Sequence, residues 1–107
     1  NDKMKVLVEQ VDVIPLILKI YGNFVPMAHT HRIDFRLICP LDTFVMYTDV
    51  DKLEKILFNL LSNAFKYTPD EKSIFLSVTC EKQILCLQVR MRAGELMLKS
   101  STVCYPF

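Results

Sequence analysis

Four residues that can do chemistry fall in one short stretch, NLLSNAFKY: Asn59, Asn63, Lys66 and Tyr67. On a helix that turns about 100° per residue they gather within roughly one third of a turn. Two carboxamides, an ammonium and a phenol therefore share one side. A carboxamide oxygen can ligate a hard cation such as Mg²⁺, which prefers oxygen donors and often shares its shell with phosphates. A lysine beside it supplies a point charge for phosphate. A tyrosine offers a ring to a base and a hydroxyl for hydrogen bonding.

A helix has to hold these groups. From Thr48 to Pro69, apolar residues recur at spacings of three and four: Val50, Leu53, Ile56, Leu57, Leu60, Leu61 and Ala64. That spacing predicts an amphipathic helix. Thr48 is the expected N-cap, with Asp51 in the capping-box position. Asp49 and Asp51 lie near the positive end of the helix dipole. Pro69 stops the helix, and Thr68-Pro69-Asp70 reads as a turn. The polar cluster is expected to border the apolar stripe, at the lip of the core.

The stretch NLLSNAFKYTP resembles the asparagine box of sensor histidine kinases, in their Bergerat-type ATP-binding domain. The preceding DVDKLEKILF is similar to the family's lead-in to that box. The resemblance implies ATP and Mg²⁺ as cofactors. It implies that Asn63 is the Mg²⁺ ligand, that Asn59 and Lys66 approach the phosphates, and that Tyr67 flanks the nucleotide. Related gyrase and chaperone ATPases carry a water-activating glutamate at the position of Asn59. An asparagine there is what a kinase is expected to have.

At 107 residues the chain is one small domain, and its 51% hydrophobic content implies a substantial core or an uncovered face. The formal net charge of +1, with no basic stripe, gives no reason to expect nucleic acid. Cys39, Cys80, Cys86 and Cys104 form no Cys-x-x-Cys motif. They read as free buried thiols in a reducing cytoplasm. No signal peptide is visible. The longest apolar run is broken by Asp12, Pro15 and Lys19, so no membrane segment is expected in this chain; those of a parent receptor would lie outside it.

In chain order, Met4–Val11 reads as a short strand. Asp12 can cap a following helix, Pro15 is tolerable in its first turn, and the helix runs to about His29, with Pro26 able to kink or shorten it. His29 and His31 read as a loop between helix and strand. Ile33, Phe35 and Leu37 alternate with polar residues in a half-buried strand. Phe44–Tyr47 forms the strand leading into the central helix. Ile74, Leu76 and Val78 mark the next, and after a turn at Glu81-Lys82-Gln83 the chain returns over Ile84–Val89. The order β-α-β-β-α-β-β predicts an α+β fold: a two-layer α/β sandwich whose mixed sheet carries both helices on one face. The resemblance implies the same architecture, incomplete at its end.

In the family, the strand matching ILCLQVR runs into the first glycine box, Asp-x-Gly-x-Gly, whose aspartate reads the adenine amino group. Here Met91-Arg92-Ala93-Gly94-Glu95 follows, without that aspartate; the chain's glycines are Gly22 and Gly94. Nor does either histidine fit the phosphoacceptor motif Ser-His-Glu-x-Arg-Thr-Pro, since His31 precedes Arg32-Ile33-Asp34. Residues 1–90 therefore read as the N-terminal part of such a domain, and 91–107 as a non-matching tail from a truncated gene or shifted frame.

Three functions follow. The first is a fragment of a two-component histidine kinase domain. Its intact parent transfers the γ-phosphate of Mg·ATP to histidine and works with a response regulator, whereas the chain alone is inactive and binds ATP poorly. The second is a non-catalytic interaction or dimerisation module that keeps the fold. The third, an unrelated α+β binding protein, requires an accidental motif. An unpaired edge at Ile84–Arg90 invites another chain. Either Leu96–Tyr105 folds back as a substitute strand, or it is exchanged with a neighbour; a homodimer through the sheet edge or tail is the favoured expectation.

Overall fold

The computed structural model describes residues 8–81 and 84–106. The elements are β1 (Val8–Asp12), α1 (Val13–His31), β2 (Asp34–Ile38), β3 (Val45–Asp49), α2 (Val50–Tyr67), β4 (Ser73–Glu81), β5 (Ile84–Ala93) and β6 (Leu96–Pro106). Four strands make a mixed sheet in the order β2-β4-β5-β6. In it β2 runs parallel to β4, and the other pairs are antiparallel. The expected two-layer α+β sandwich is present. It departs from expectation in that, among the described residues, β1 and β3 pair only with each other, as a separate antiparallel ribbon.

Alternation decides which face of the sheet is covered. Ile74, Leu76 and Val78 of β4 and Leu85, Leu87, Val89 and Met91 of β5 are buried. The β4–β5 register sets Ile74 opposite Met91, Leu76 opposite Val89 and Val78 opposite Leu87, so these side chains share one face. Onto it pack Val13, Ile14, Ile17, Ile20, Phe24 and Ala28 of α1, with Leu53, Leu57, Leu61, Ala64 and Phe65 of α2, in a single core. Truncating one such leucine to alanine typically costs about 2–5 kcal/mol.

Polar groups fix where each helix starts. The Asp12 carboxylate accepts from the backbone N–H of Ile14 at 3.1 Å, as an N-cap, and from that of Phe44 at 3.0 Å. One side chain thus starts α1 and ties it to the approach to β3. These two backbone donors, Phe44 first, hold its carboxyl below the usual aspartate range. On α2 the cap lies one residue later than expected: Asp49, not Thr48, accepts from the N–H of Lys52 at 3.3 Å. Thr48 still belongs to β3 and is buried, so the extended strand consumes the residue that the capping-box reading needed. The first helix continues through Pro26 to His31 and ends at Arg32 in a left-handed conformation, φ 56°.

The exits of the two helices are clasped together. The N–H of Glu71 donates to the His31 carbonyl at 3.1 Å, and that of Asp34 to the Lys72 carbonyl at 2.9 Å. His31 Nδ1 lies 3.0 Å from Asp70 Oδ1, and Arg32 pairs with Glu71 at 3.3 Å. The turn after α2 is thereby held against the start of β2.

The tail forms a strand. Gly94, at φ +65°, and Glu95 make a tight turn, and β6 returns along β5. Positive φ is the conformation glycine adopts without penalty in a hairpin turn. The unpaired edge expected at Ile84–Arg90 is therefore covered by the chain's own tail, and the free edge moves outward to β6. Register also corrects the reading of the thiols. Cys86 and Cys104 stand directly opposite each other, Cα atoms 4.1 Å apart, and are joined as a disulfide; Cys39 and Cys80 are free. Met4–Leu7 of the first expected strand, and Lys82 and Gln83 of the expected turn, lie outside the described residues.

The double acceptance by Asp12 sets a pH dependence. Because its folded pKa is depressed, the stability it contributes is present above the ordinary aspartate range and is lost as pH falls through the folded value. Urea unfolding of wild type and Asp12→Ala is expected to differ most at neutral pH and to converge as the solution is acidified below pH ~4. A gap that is constant down to strongly acidic pH contradicts this role.

Candidate functional site: the outer rim of α2

The buried side of α2 determines what its other side presents. Leu53, Leu57, Leu61, Ala64 and Phe65 face the core, whereas Ile56 and Leu60 are only half-buried. Phe65, which the apolar spacing did not include, is 8% exposed. Its ring stacks on Phe24 with centroids 5.4 Å apart and meets Phe35 edge-on at 5.0 Å. This aromatic cluster rolls the helix toward α1. In consequence Asn59, Asn63, Lys66 and Tyr67 are all exposed, on the side away from the core. They share a rim, as the spacing implied.

Within the rim the four residues divide. Asn59 lines a surface cleft of about 270 Å³ between the helices, with Asn23 and Ile20 of α1 and Glu54, Lys55 and Phe58 of α2. Lys66 and Tyr67 sit at the other end, where the Lys66 ammonium lies 5.4 Å from the Tyr67 ring centroid. A second ammonium reaches the same ring: Lys99 Nζ of β6 lies 5.1 Å from the centroid. Such contacts at exposed sites contribute about 0.5–1 kcal/mol each. Among the described residues, neither lysine has a carboxylate partner, and neither carboxamide makes a hydrogen bond. The oxygens of Asn59 and Asn63 are thus available to a hard cation, and both ammoniums to an anion.

Sequence reading missed Asn23 and Lys99. Asn23 enters only because α1 packs beside α2, which helical spacing does not encode. Lys99 lies in the segment Leu96–Tyr105 that was expected to fold back as a strand, but the register shift between Met91 and Arg92 puts Met97 and Lys99 opposite neighbouring residues of β5 and so on opposite faces. The side of the sheet that Lys99 takes follows only from the register, which puts it opposite the buried Met91 and hence on the helix-bearing face.

No protein-family model matches the chain. Histidine kinase P4 of Formosa agariphila is 26% identical over 89 residues, covering 83% of this chain and 6% of its own. Adaptive-response sensory kinase SasA of Thermosynechococcus vestitus is 33% identical over 77 residues, 72% of this chain and 20% of its own. The catalytic domain of histidine kinase ThkA superposes with a TM-score of 0.77 at 18% identity, over 82% of this chain and 60% of that one. The chain is similar in sequence to histidine kinases and has the fold of their catalytic domain. Full-length ShkA, solved in complex with AMPPNP, gives a TM-score of 0.69 at 23% identity over 81% of this chain and 19% of its own. ThkA in complex with response regulator protein TrrA gives 0.73 at 19% identity over 78% and 25%. Matches to these two curated histidine kinases span only 6% and 20% of their lengths. No helix among the described residues is long and apolar enough to cross a membrane.

Proposed function

We propose that the α2 rim is the nucleotide-facing part of a histidine kinase ATP-binding domain. In this reading Asn63 ligates Mg²⁺, Asn59 and Lys66 approach the phosphates, and Tyr67 flanks the nucleotide. The observation that carries it is the exposed set Asn59, Asn63, Lys66 and Tyr67 on one helix whose opposite side is locked in the core. The relatives support it by kind, and the AMPPNP bound to ShkA supports it by ligand.

The rim's residues act by position and charge, without covalent chemistry. Exposed carboxamide oxygens fit a hard cation, and bound Mg²⁺ would neutralise phosphate charge. Lys66 holds an anion at a fixed point of the helix. Tyr67 presents a face to whatever lies beside it. In an intact parent, this arrangement would serve phosphoryl transfer from Mg·ATP to a histidine, with a response regulator as partner, as in the ThkA–TrrA complex. The 107-residue chain carries no Asp-x-Gly-x-Gly. We therefore infer weak nucleotide binding and no autophosphorylation by this chain alone.

NMR titration with Mg·ATP is expected to give a Kd weaker than about 1 mM, or about 4 kcal/mol of binding. Asn63→Ala is expected to abolish it, and incubation with radiolabelled ATP to leave the protein unlabelled. Undiminished Mg·ATP binding by Asn63→Ala contradicts the assignment of that residue. Label that depends on Asn63 contradicts the inference of inactivity.

A second reading concerns association. Among the described residues the sheet has two edges, β2 and β6, and it is at β6 that Leu96 is 66% exposed and Met97 44%. Such an edge can pair with another copy, and we infer a homodimer through it. Light scattering behind size exclusion is expected to return twice the monomer mass. A monomer at every concentration refutes that reading.

A further inference from the structure

We propose that Lys99, on the tail strand β6, is a polyphosphate-binding residue of the α2 rim. The proposal rests on the nucleotide reading of that rim and adds a ligand from outside α2. Three observations converge on it. Lys99 and Lys66 approach one ring, at 5.1 and 5.4 Å from the Tyr67 centroid, so their charges lie no farther apart than those distances added together. Both are exposed, and among the described residues neither has an acidic partner. Asn63 stands one helical turn before Tyr67 with its carboxamide unengaged among the described residues.

Two exposed ammoniums about one ring, with no carboxylate paired to either among the described residues, present two positive charges to an anion. A chain of phosphates has both the charge and the length to meet the two. A single phosphate can satisfy one ammonium, whereas a triphosphate can meet Lys66 and Lys99 together. The backbone fixes the reach. Gly94 and Glu95 turn the chain, the β5–β6 ladder sets Lys99 opposite Met91, and the Cys86–Cys104 link holds the same two strands farther along. Lys99 is thus delivered to the α2 rim by main-chain pairing, independently of the motif on the helix.

The test uses the full chain and three probes: inorganic tripolyphosphate, Mg·ATP and adenosine. Shifts of the Tyr67 ring and the lysine side-chain resonances are followed by NMR. Lys99→Glu is expected to weaken tripolyphosphate and Mg·ATP by about tenfold or more, as loss of a charged hydrogen bond implies. Lys99→Arg is expected to keep the affinity, and Lys19→Glu on α1 to leave it unchanged. Added salt is expected to weaken tripolyphosphate binding in wild type and to matter less in Lys99→Glu. A purely structural Lys99 would alter unfolding without altering these affinities, and that result overturns the proposal. If Lys66→Glu abolishes Mg·ATP binding while Lys99→Glu does not, the proposal falls and the nucleotide reading stands. If Mg·ATP binds no better than tripolyphosphate, adenosine produces no shift, and Lys99→Glu weakens both anions, the nucleotide reading falls and Lys99 stands as a polyphosphate ligand. Silence from all three probes overturns both.

Discussion

The burial of one side of α2 is the constraint on which the rest of the structure depends. Leu53, Leu57 and Leu61 are fully buried, and Phe65 completes an aromatic cluster with Phe24 and Phe35. Rotating the helix by one residue would take these side chains out of the core at about 1.5–3 kcal/mol each. The rotation is therefore fixed, and with it the direction in which Asn59, Asn63, Lys66 and Tyr67 point. A polar rim needs no interaction of its own to be well placed when the opposite side cannot move.

Anchors at both ends complete the placement. Asp12 and Asp49 set the helix starts, and the clasp of His31, Arg32, Asp70 and Glu71 sets where the chain leaves α2. The β5–β6 hairpin then brings a second lysine to the end of the rim. Gly94 illustrates how position decides the use of a residue. In the family that the chain resembles, glycines after this strand shape a nucleotide pocket; here the glycine supplies the positive φ of a tight turn.

Much of this was legible in the sequence. The strands Ile74–Val78 and Ile84–Val89 were legible because Ile74, Leu76 and Val78, and Leu85, Leu87 and Val89, recur at every second position, although Phe75 interrupts the pattern and Ser77 on the other face is also buried. The rim was legible because four polar residues at helical spacing must share a side whatever the packing. What was not legible required tertiary information. Thr48 looks like a better cap than it is, because local patterning does not show that β3 extends through it. The roll of α2 depends on Phe65 finding Phe24, two residues on different helices. The Cys86–Cys104 link and the place of Lys99 depend on register across a hairpin in which a bulge lies between Met91 and Arg92. A shift of one residue would send both to other neighbours, and the one-dimensional pattern carries no mark of that bulge.

Replacing Mg²⁺ with paramagnetic Mn²⁺ shows whether the rim of α2 holds a metal–nucleotide complex at Asn63. In the NMR spectrum of the labelled chain with Mn·ATP, line broadening is expected to centre on the side-chain amide of Asn63. It should extend to Asn59, Lys66 and Tyr67 and leave the buried stripe of α2 and the outer face of the sheet sharp. Broadening centred instead on the acidic turn at Asp70 and Glu71, or none that depends on ATP, contradicts that placement.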